Sequence, residues 1–197
     1  MTFVQRIQGV FRLSADTFED IEADKGATGQ AALVVFLVAL MAGIGAYIST
    51  SGAVDFGSVA SSVEAYDASF VTGELTPMGA FAHEFVGAFV AWLLWAFLTF
   101  LIAGKLFGGE TDLGEMLRTI GFAQAPRLLS VFAFIPCIGF ILAMAGWMIA
   151  LIGTVLAIQR SADLDAFKSF GAVILSFIAV GIVHFFVLPP LVRAIFG

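Results

Sequence analysis

The chain has 197 residues, 60% of them hydrophobic and only 12% charged, with a net charge of −6. A soluble domain averages about 45–50% apolar and about 25% charged residues, so there is too little polar surface here to face water on every side. The acidic balance and the lack of a basic cluster exclude nucleic acid as a partner. The single cysteine, Cys137, excludes an internal disulfide.

Residues 2–24 place Phe3, Ile7, Val10, Phe11, Phe18 and Ile21 near helical spacing, with Arg6 and Arg12 early and Asp16, Glu19, Asp20, Glu22 and Asp24 late. This predicts one or two surface helices ending at Lys25-Gly26. They form either a packing arm folded under a bundle or an arm that docks lipid or a partner. No uninterrupted apolar core lies in this stretch, so no cleavable signal peptide is expected. Ala31–Ser49 carries no charge and would rise roughly 28 Å as a helix, matching a bilayer core. It is the first expected span, with Gly43 and Gly45 offering close helix approach. Thr50–Pro77 is polar and acidic, but Phe56, Val59, Val63, Tyr66 and Phe70 recur within it. The expectation there is an interfacial helix or a cap over the mouth of the bundle. Ala80–Ala103 is the second span, opened by His83 and Glu84. Trp92 and Trp95 lie mid-span, away from the interface that tryptophan favours, which argues for packing on neighbours.

Gly108–Leu129 is the most structured polar segment. Gly108 and Gly109 stop the preceding helix, and Asp112 and Glu115 have capping-box spacing. Leu113, Met116, Leu117 and Ile120 form one apolar stripe, with Arg118 and Thr119 off it. The pattern predicts a short helix lying on the membrane surface. From Thr119 to Gln159 the only charge is Arg127, and as one helix this stretch would run roughly 60 Å. It must fold back, and Pro136 to Gly139 hold the only turn chemistry near its middle. The third and fourth spans are therefore expected at 119–135 and 140–158, and a fifth at 170–188, stopped by Pro189-Pro190. Asp112-Leu113 before Arg118 and Gly121 also matches Asp163-Leu164 before Lys168 and Gly171, a pattern that suggests a duplicated hairpin.

The expected fold is thus all-α: a polytopic membrane protein with five transmembrane helices and short amphipathic interfacial helices. Residues 1–30 form an amphipathic cytoplasmic segment and 31–197 the membrane domain. Arg6, Arg12, Lys25, Lys105, Arg118, Arg160 and Lys168 flank one face, against Arg193 on the other. The positive-inside rule then places the N-terminus in the cytoplasm and the C-terminus outside.

With these elements in place the chain resembles the YIP family, the Ypt/Rab-interacting membrane proteins. The resemblance is carried by Leu117–Pro126 (LRTIGFAQAP), by Phe11–Ile21 (FRLSADTFEDI), which is similar to the family's opening helix, and by the short connection before Phe170. It implies five spans and a cytoplasmic N-terminus. Eukaryotic members carry longer N-terminal segments that engage trafficking GTPases. The short segment here resembles a prokaryotic member, placed in the cytoplasmic (inner) membrane. Two positions depart from the pattern: Ala15 stands where proline is frequent, and Arg127 where an apolar residue is usual.

Arg127 is the sharpest candidate. It falls about eight residues into the third expected span, roughly 12 Å from the cytoplasmic edge. A charge at the bilayer centre costs at least about 2.5–3.5 kcal/mol. It either snorkels or bonds carbonyls, or it forms a lipid-phosphate or anion site, with Gln124 and Ser130 at −3 and +3 sharing its face. His83, Glu84 and His184 form a second candidate, at matching depths near the outer edge. They could hold a metal or relay a proton, or simply be interfacial polar groups, since His83 and Glu84 are adjacent and point about 100° apart. No G-x-S-x-G, HExxH, CxxC or Walker loop occurs, so no catalytic activity and no cofactor is expected. The expected function is a non-enzymatic membrane organiser or adaptor. Its partners would be membrane lipids, a membrane or cytoplasmic protein, or a second copy of the chain. The alternative is a small transporter, channel or lipid scramblase with a polar path near Arg127.

Overall fold

The N-terminal arm forms two helices. Helix α1 (Phe3–Phe11) opens on a capping box in which Thr2 and Gln5 bond each other's backbone N–H. It closes on Leu13 at φ 55°, where Leu13 and Ser14 donate to the carbonyls of Val10 and Gly9. This left-handed closure usually takes glycine. Its side chain, with that of Phe18, packs at Gly153. Helix α2 is Ala15–Ala23. Val10, Phe18 and Ile21 are fully buried, in one cluster with Met116, Ile120 and Phe122. Arg6 is also buried, donating to Asp20 and Asp24 (2.8 Å each) and to Gln30 (3.1 Å).

In this computed structural model the described residues are 1–51, 76–134, 138–187, 190, 191 and 194, with the side chains of 49, 133, 134, 184 and 185 excepted. After the arm come α3 (Ala27–Ser51) and α4 (Pro77–Leu101), the latter capped by Thr76 with Pro77 at its first turn and prolonged by a π-turn at Ile102–Leu106. Then follow α5 (Leu113–Ala123), a 3-10 helix (Ala125–Phe134), α6 (Ile138–Ser161) and α7 (Ala166–Ile182), which runs on as a π-turn at Val183–Val187. No strand occurs among the described residues. Ala27–Ile48, Pro77–Leu106 and Ile138–Ser161 are long and apolar enough to cross a membrane, and α7 is a shorter apolar helix. The expected interfacial helix in 50–77 falls largely outside the described residues, as does the expected turn at Pro136-Cys137.

Helices α6 and α7 turn small side chains inward and large apolar ones outward, the reverse of a helix on the surface of a soluble protein. Helix α7 buries Ser169, Ala172, Val173, Ser176 and Val180, while it exposes Phe170, Ile174, Leu175, Phe177 and Ile178. Small side chains let helix backbones approach, and the large apolar ones face a solvent of their own kind. Between α4 and α7, Thr99 donates to Ser176 at 3.0 Å, both buried. Helix α6 buries Gly139, Gly146, Ala150, Gly153 and Thr154 and exposes Phe140, Ile141 and Met144.

Three expectations are corrected. Helix α5 has the expected capping box, with Glu115 N donating to Asp112 Oδ1 at 2.9 Å and Asp112 N to Glu115 Oε2 at 2.8 Å. But it does not lie on the surface. Arg118 and Thr119 are buried along with Met116 and Ile120, because α5 is enclosed by α2, α3, α4 and α6. Long-range partners meet its polar face: Arg118 Nη2 donates to the Glu22 carbonyl, although Arg118 Nε has no acceptor among the described residues, and Ser161 Oγ donates to Thr119 Oγ1 at 3.1 Å. The third expected span is likewise not one α-helix. The α-helix stops at its cap, Gln124, two residues before Pro126, and continues as a 3-10 helix, since proline disfavours α-conformation in the residue before it. The apparent repeat also dissolves. Asp112 caps α5, whereas α7 is capped by Asp165, and Asp163 sits at φ 49° closing α6.

One end of the bundle gathers the basic flanks. Arg118 meets Glu22, Arg160 bonds Glu19 at 3.0 Å, Gly109 abuts Ala162, and Gly171 abuts Phe107.

Candidate functional site

The break between α5 and the 3-10 helix builds the site. Gln124, the α5 cap, accepts from Arg127 Nη1 at 3.0 Å through Oε1. Its Nε2 reaches the Ile120 carbonyl only at 3.5 Å. The 3-10 helix is held against α6 where Gly146 faces Pro126: a Cβ at residue 146 would collide with the Pro126 carbonyl oxygen. On the other side, Gly121 abuts Trp92, whose Nε1 donates to the Leu117 carbonyl at 3.1 Å. Trp95 and Trp147 each set an edge against Phe177 of α7, with ring centroids 6.0 and 6.1 Å apart.

These contacts enclose a cavity of about 460 Å³ among α3, α4, α6, α7 and the α5–3-10 junction. That is the size of a small-molecule or headgroup site. All three tryptophans of the chain line it, with Gln124, Thr154, Glu84 and Arg127. Glu84 and Arg127 are its only charged lining residues among those described. Trp147 (44% exposed) and Phe177 (43%) are the most exposed residues of its wall.

The sequence-level candidates are thus redistributed. Arg127 and Gln124 are bonded to each other, but Ser130 is exposed and stands outside the cavity wall. His83 and Glu84, although adjacent, approach to 3.3 Å (Nδ1 to Oε1), with His83 buried. Among the described residues no three His, Cys, Asp or Glu side chains converge as metal ligands. The side chain of His184 lies outside the described residues. Sequence reasoning assigned Arg127 and Glu84 to two separate sites near opposite faces of the bilayer, whereas the fold sets both on one cavity. The tryptophan lining was half visible in Trp92 and Trp95 mid-span. Trp147 carried no such signal.

A second, polar cavity of about 610 Å³ lies at the basic end, lined by Glu19, Glu22, Gln159, Arg160 and Asp163. Partial burial, and then the fields of Glu115 and Asp163, push the Glu22 carboxyl up to about 7.

The family model of the Yip1 domain matches residues 9–188. The chain belongs to the Yip1 family. The Yip1 domain thus takes in α2 to α7 whole, and with them every residue of the tryptophan-lined cavity. No curated protein and no solved structure matches the chain. Family membership and three helices long and apolar enough to cross a membrane together make it an integral membrane protein.

Proposed function

We propose that this Yip1-family protein is a non-enzymatic membrane organiser that binds membrane lipid through the tryptophan-lined cavity. The observation that carries this reading is the position of Arg127: a cation on the wall of a cavity lined mainly by apolar and aromatic side chains, bonded to the Gln124 amide. An ionisable side chain within a membrane segment is costly to place there and is by default a candidate functional group. The topology belonging to this reading has five spans, with the 113–134 segment and the run from α7 into its π-turn as the third and fifth. Residues 1–30 are cytoplasmic and the C-terminus is outside, in a prokaryotic cytoplasmic membrane. A protein partner or a second copy would meet the apolar face that α7 turns outward.

The test is lipid retention. Protein released from nanodiscs of native lipid extract, examined by native mass spectrometry, is expected to carry bound lipid in the wild type and to lose it in Arg127→Leu, with helix content unchanged by circular dichroism. Equal retention in the two forms overturns the proposal. A second reading, lipid scrambling or small-solute transport, is favoured by one observation: the cavity joins Glu84, early in α4, with Arg127 at the α5–3-10 junction, as a polar path would. Proteoliposome flux that disappears in Arg127→Leu would select it, and no flux in either form would remove it.

A further inference from the structure

Resting on the lipid-binding reading, we propose that the cavity recognises the phosphodiester of a glycerophospholipid, held on the Nε–Nη2 edge of Arg127. Gln124 is the positioning residue that presents this edge to the ligand.

A guanidinium carries its donors on three nitrogens in one plane. In Arg127 one of them, Nη1, is taken by Gln124 Oε1 at 3.0 Å. That amide is buried, and its Nε2 reaches the Ile120 carbonyl one turn back at 3.5 Å, which keeps its oxygen toward Arg127. Nε and Nη2 donate to nothing among the described residues, and neither is sealed inside the protein. These two share one edge of the plane, the fork that matches two oxygens of a phosphate or a carboxylate. Neighbouring polar groups of the wall are already committed. Trp92 Nε1 donates to the Leu117 carbonyl at 3.1 Å, and the Thr154 hydroxyl to the Ala150 carbonyl at 2.8 Å. No ligand group needs Glu84, whose carboxylate meets His83 Nδ1 at 3.3 Å. One more donor belongs to a residue of the wall: Trp95 Nε1 is buried without an acceptor among the described residues, a state that folded proteins rarely leave unmet. A carboxylate would use both its oxygens on the fork. A phosphodiester fills the fork and keeps two ester oxygens for that indole. The rest of the wall is mainly apolar and aromatic, as the glycerol and first acyl carbons require, and about 460 Å³ is room enough for them.

The protein supplies its own reporter, because every tryptophan in the chain lines the cavity. Full-length protein in detergent is titrated with dihexanoylphosphatidylglycerol, dihexanoylglycerol, octanoate or inorganic phosphate while indole emission is followed. The phospholipid is expected to give a saturable change, with dihexanoylglycerol and octanoate weaker by about tenfold, the ratio expected from one lost charge-assisted hydrogen bond. Inorganic phosphate, which has no apolar part to bury, is expected to be weaker as well. Arg127→Lys keeps the charge and loses the fork, and is expected to lower phospholipid affinity about tenfold. Gln124→Glu keeps an acceptor for Nη1 but sets a carboxylate beside the incoming phosphate. It is expected to lower affinity as much, with helix content unchanged by circular dichroism. A packing role for Gln124 would leave affinity untouched in that variant. Should Gln124→Glu not fold, Gln124→Met serves instead, since it releases the guanidinium and keeps the side-chain volume. Wild-type affinity in Arg127→Lys, or dihexanoylglycerol or octanoate bound as tightly as the phospholipid, overturns the inference. Wild-type affinity in both Gln124 variants overturns the positioning role. Inorganic phosphate bound as tightly as the phospholipid overturns the lipid source. Binding that depends on Arg127 without discriminating for phosphate sinks only this inference. Binding untouched by Arg127→Leu sinks the reading beneath it as well.

Discussion

Arg118 of α5 donates through Nη2 to the backbone carbonyl of Glu22 in α2 at 2.6 Å, across 96 residues of sequence. Arg118 is 5% exposed, so this bond ties the N-terminal arm to a largely buried side chain of the bundle. It converts α5 from the amphipathic surface helix its sequence suggests into the element around which α2, α3, α4 and α6 pack.

Replacing Arg118 by methionine keeps the apolar stem and removes the bond. The Glu22 carbonyl then loses a charge-assisted donor, worth about 1.5–3 kcal/mol. Hydrogen exchange is expected to quicken across residues 15–23 while α3 and α4 keep their protection. Unchanged exchange in α2 would show that Phe18 and Ile21 alone hold the arm.

The acid side of neutrality should tighten the same arm. Glu22 titrates at about 7 in the folded protein against an ordinary 4.5, through desolvation first and the fields of Glu115 and Asp163 second. The folded state therefore binds this proton more tightly than the unfolded chain does. Its contribution is fully present below about 4.5 and is lost as pH rises through about 7. Docking of α2, followed by exchange or by limited proteolysis after Lys25, is expected to weaken between those values. Glu22→Gln should flatten this dependence, and a slope that persists in the variant would assign it to another group.

Gly146 sets the distance between α6 and the 3-10 helix. Alanine there would push its Cβ into the Pro126 carbonyl. Neither backbone can yield as a side chain would, so a loss of about 1–3 kcal/mol is expected, as for overpacking of a tight core. Pushing the 3-10 helix outward also displaces Arg127, so Gly146→Ala should alter indole emission even without ligand. A thermal midpoint and a spectrum both matching wild type would refute the close approach.

Three long apolar helices of this fold were readable because a charge-free run of helical length has few alternatives in a bilayer. Helices α3, α4 and α6 begin and end within a few residues of the expected limits, and the Asp112–Glu115 box forms as its spacing implies. The arm's division at Leu13 and the end of α5 at Gln124 were harder to read. The first uses a left-handed leucine where glycine is the usual signal, and the second depended on weighing Pro126 against a continuous apolar run. The site was legible only in parts. Arg127 and Gln124 announced themselves by type and spacing, and they do bond. That Glu84 and three tryptophans share their cavity follows from how α3, α4, α6 and α7 assemble, and no local pattern encodes it. The burial of Arg118 and Thr119 is hidden for the same reason, since their partners are Glu22 and Ser161.

The hydroxyl pair Thr99–Ser176 bears on how α7 can move. Turning α7 by one residue, about 100°, would swing Ser176 out among hydrocarbon chains and strand Thr99 without its acceptor. The smooth apolar flank of α7 would barely resist such a turn. The pair therefore acts as a rotational detent: α7 can tilt or slide slightly while Phe177, on the wall of the cavity, keeps its bearing toward Trp95 and Trp147.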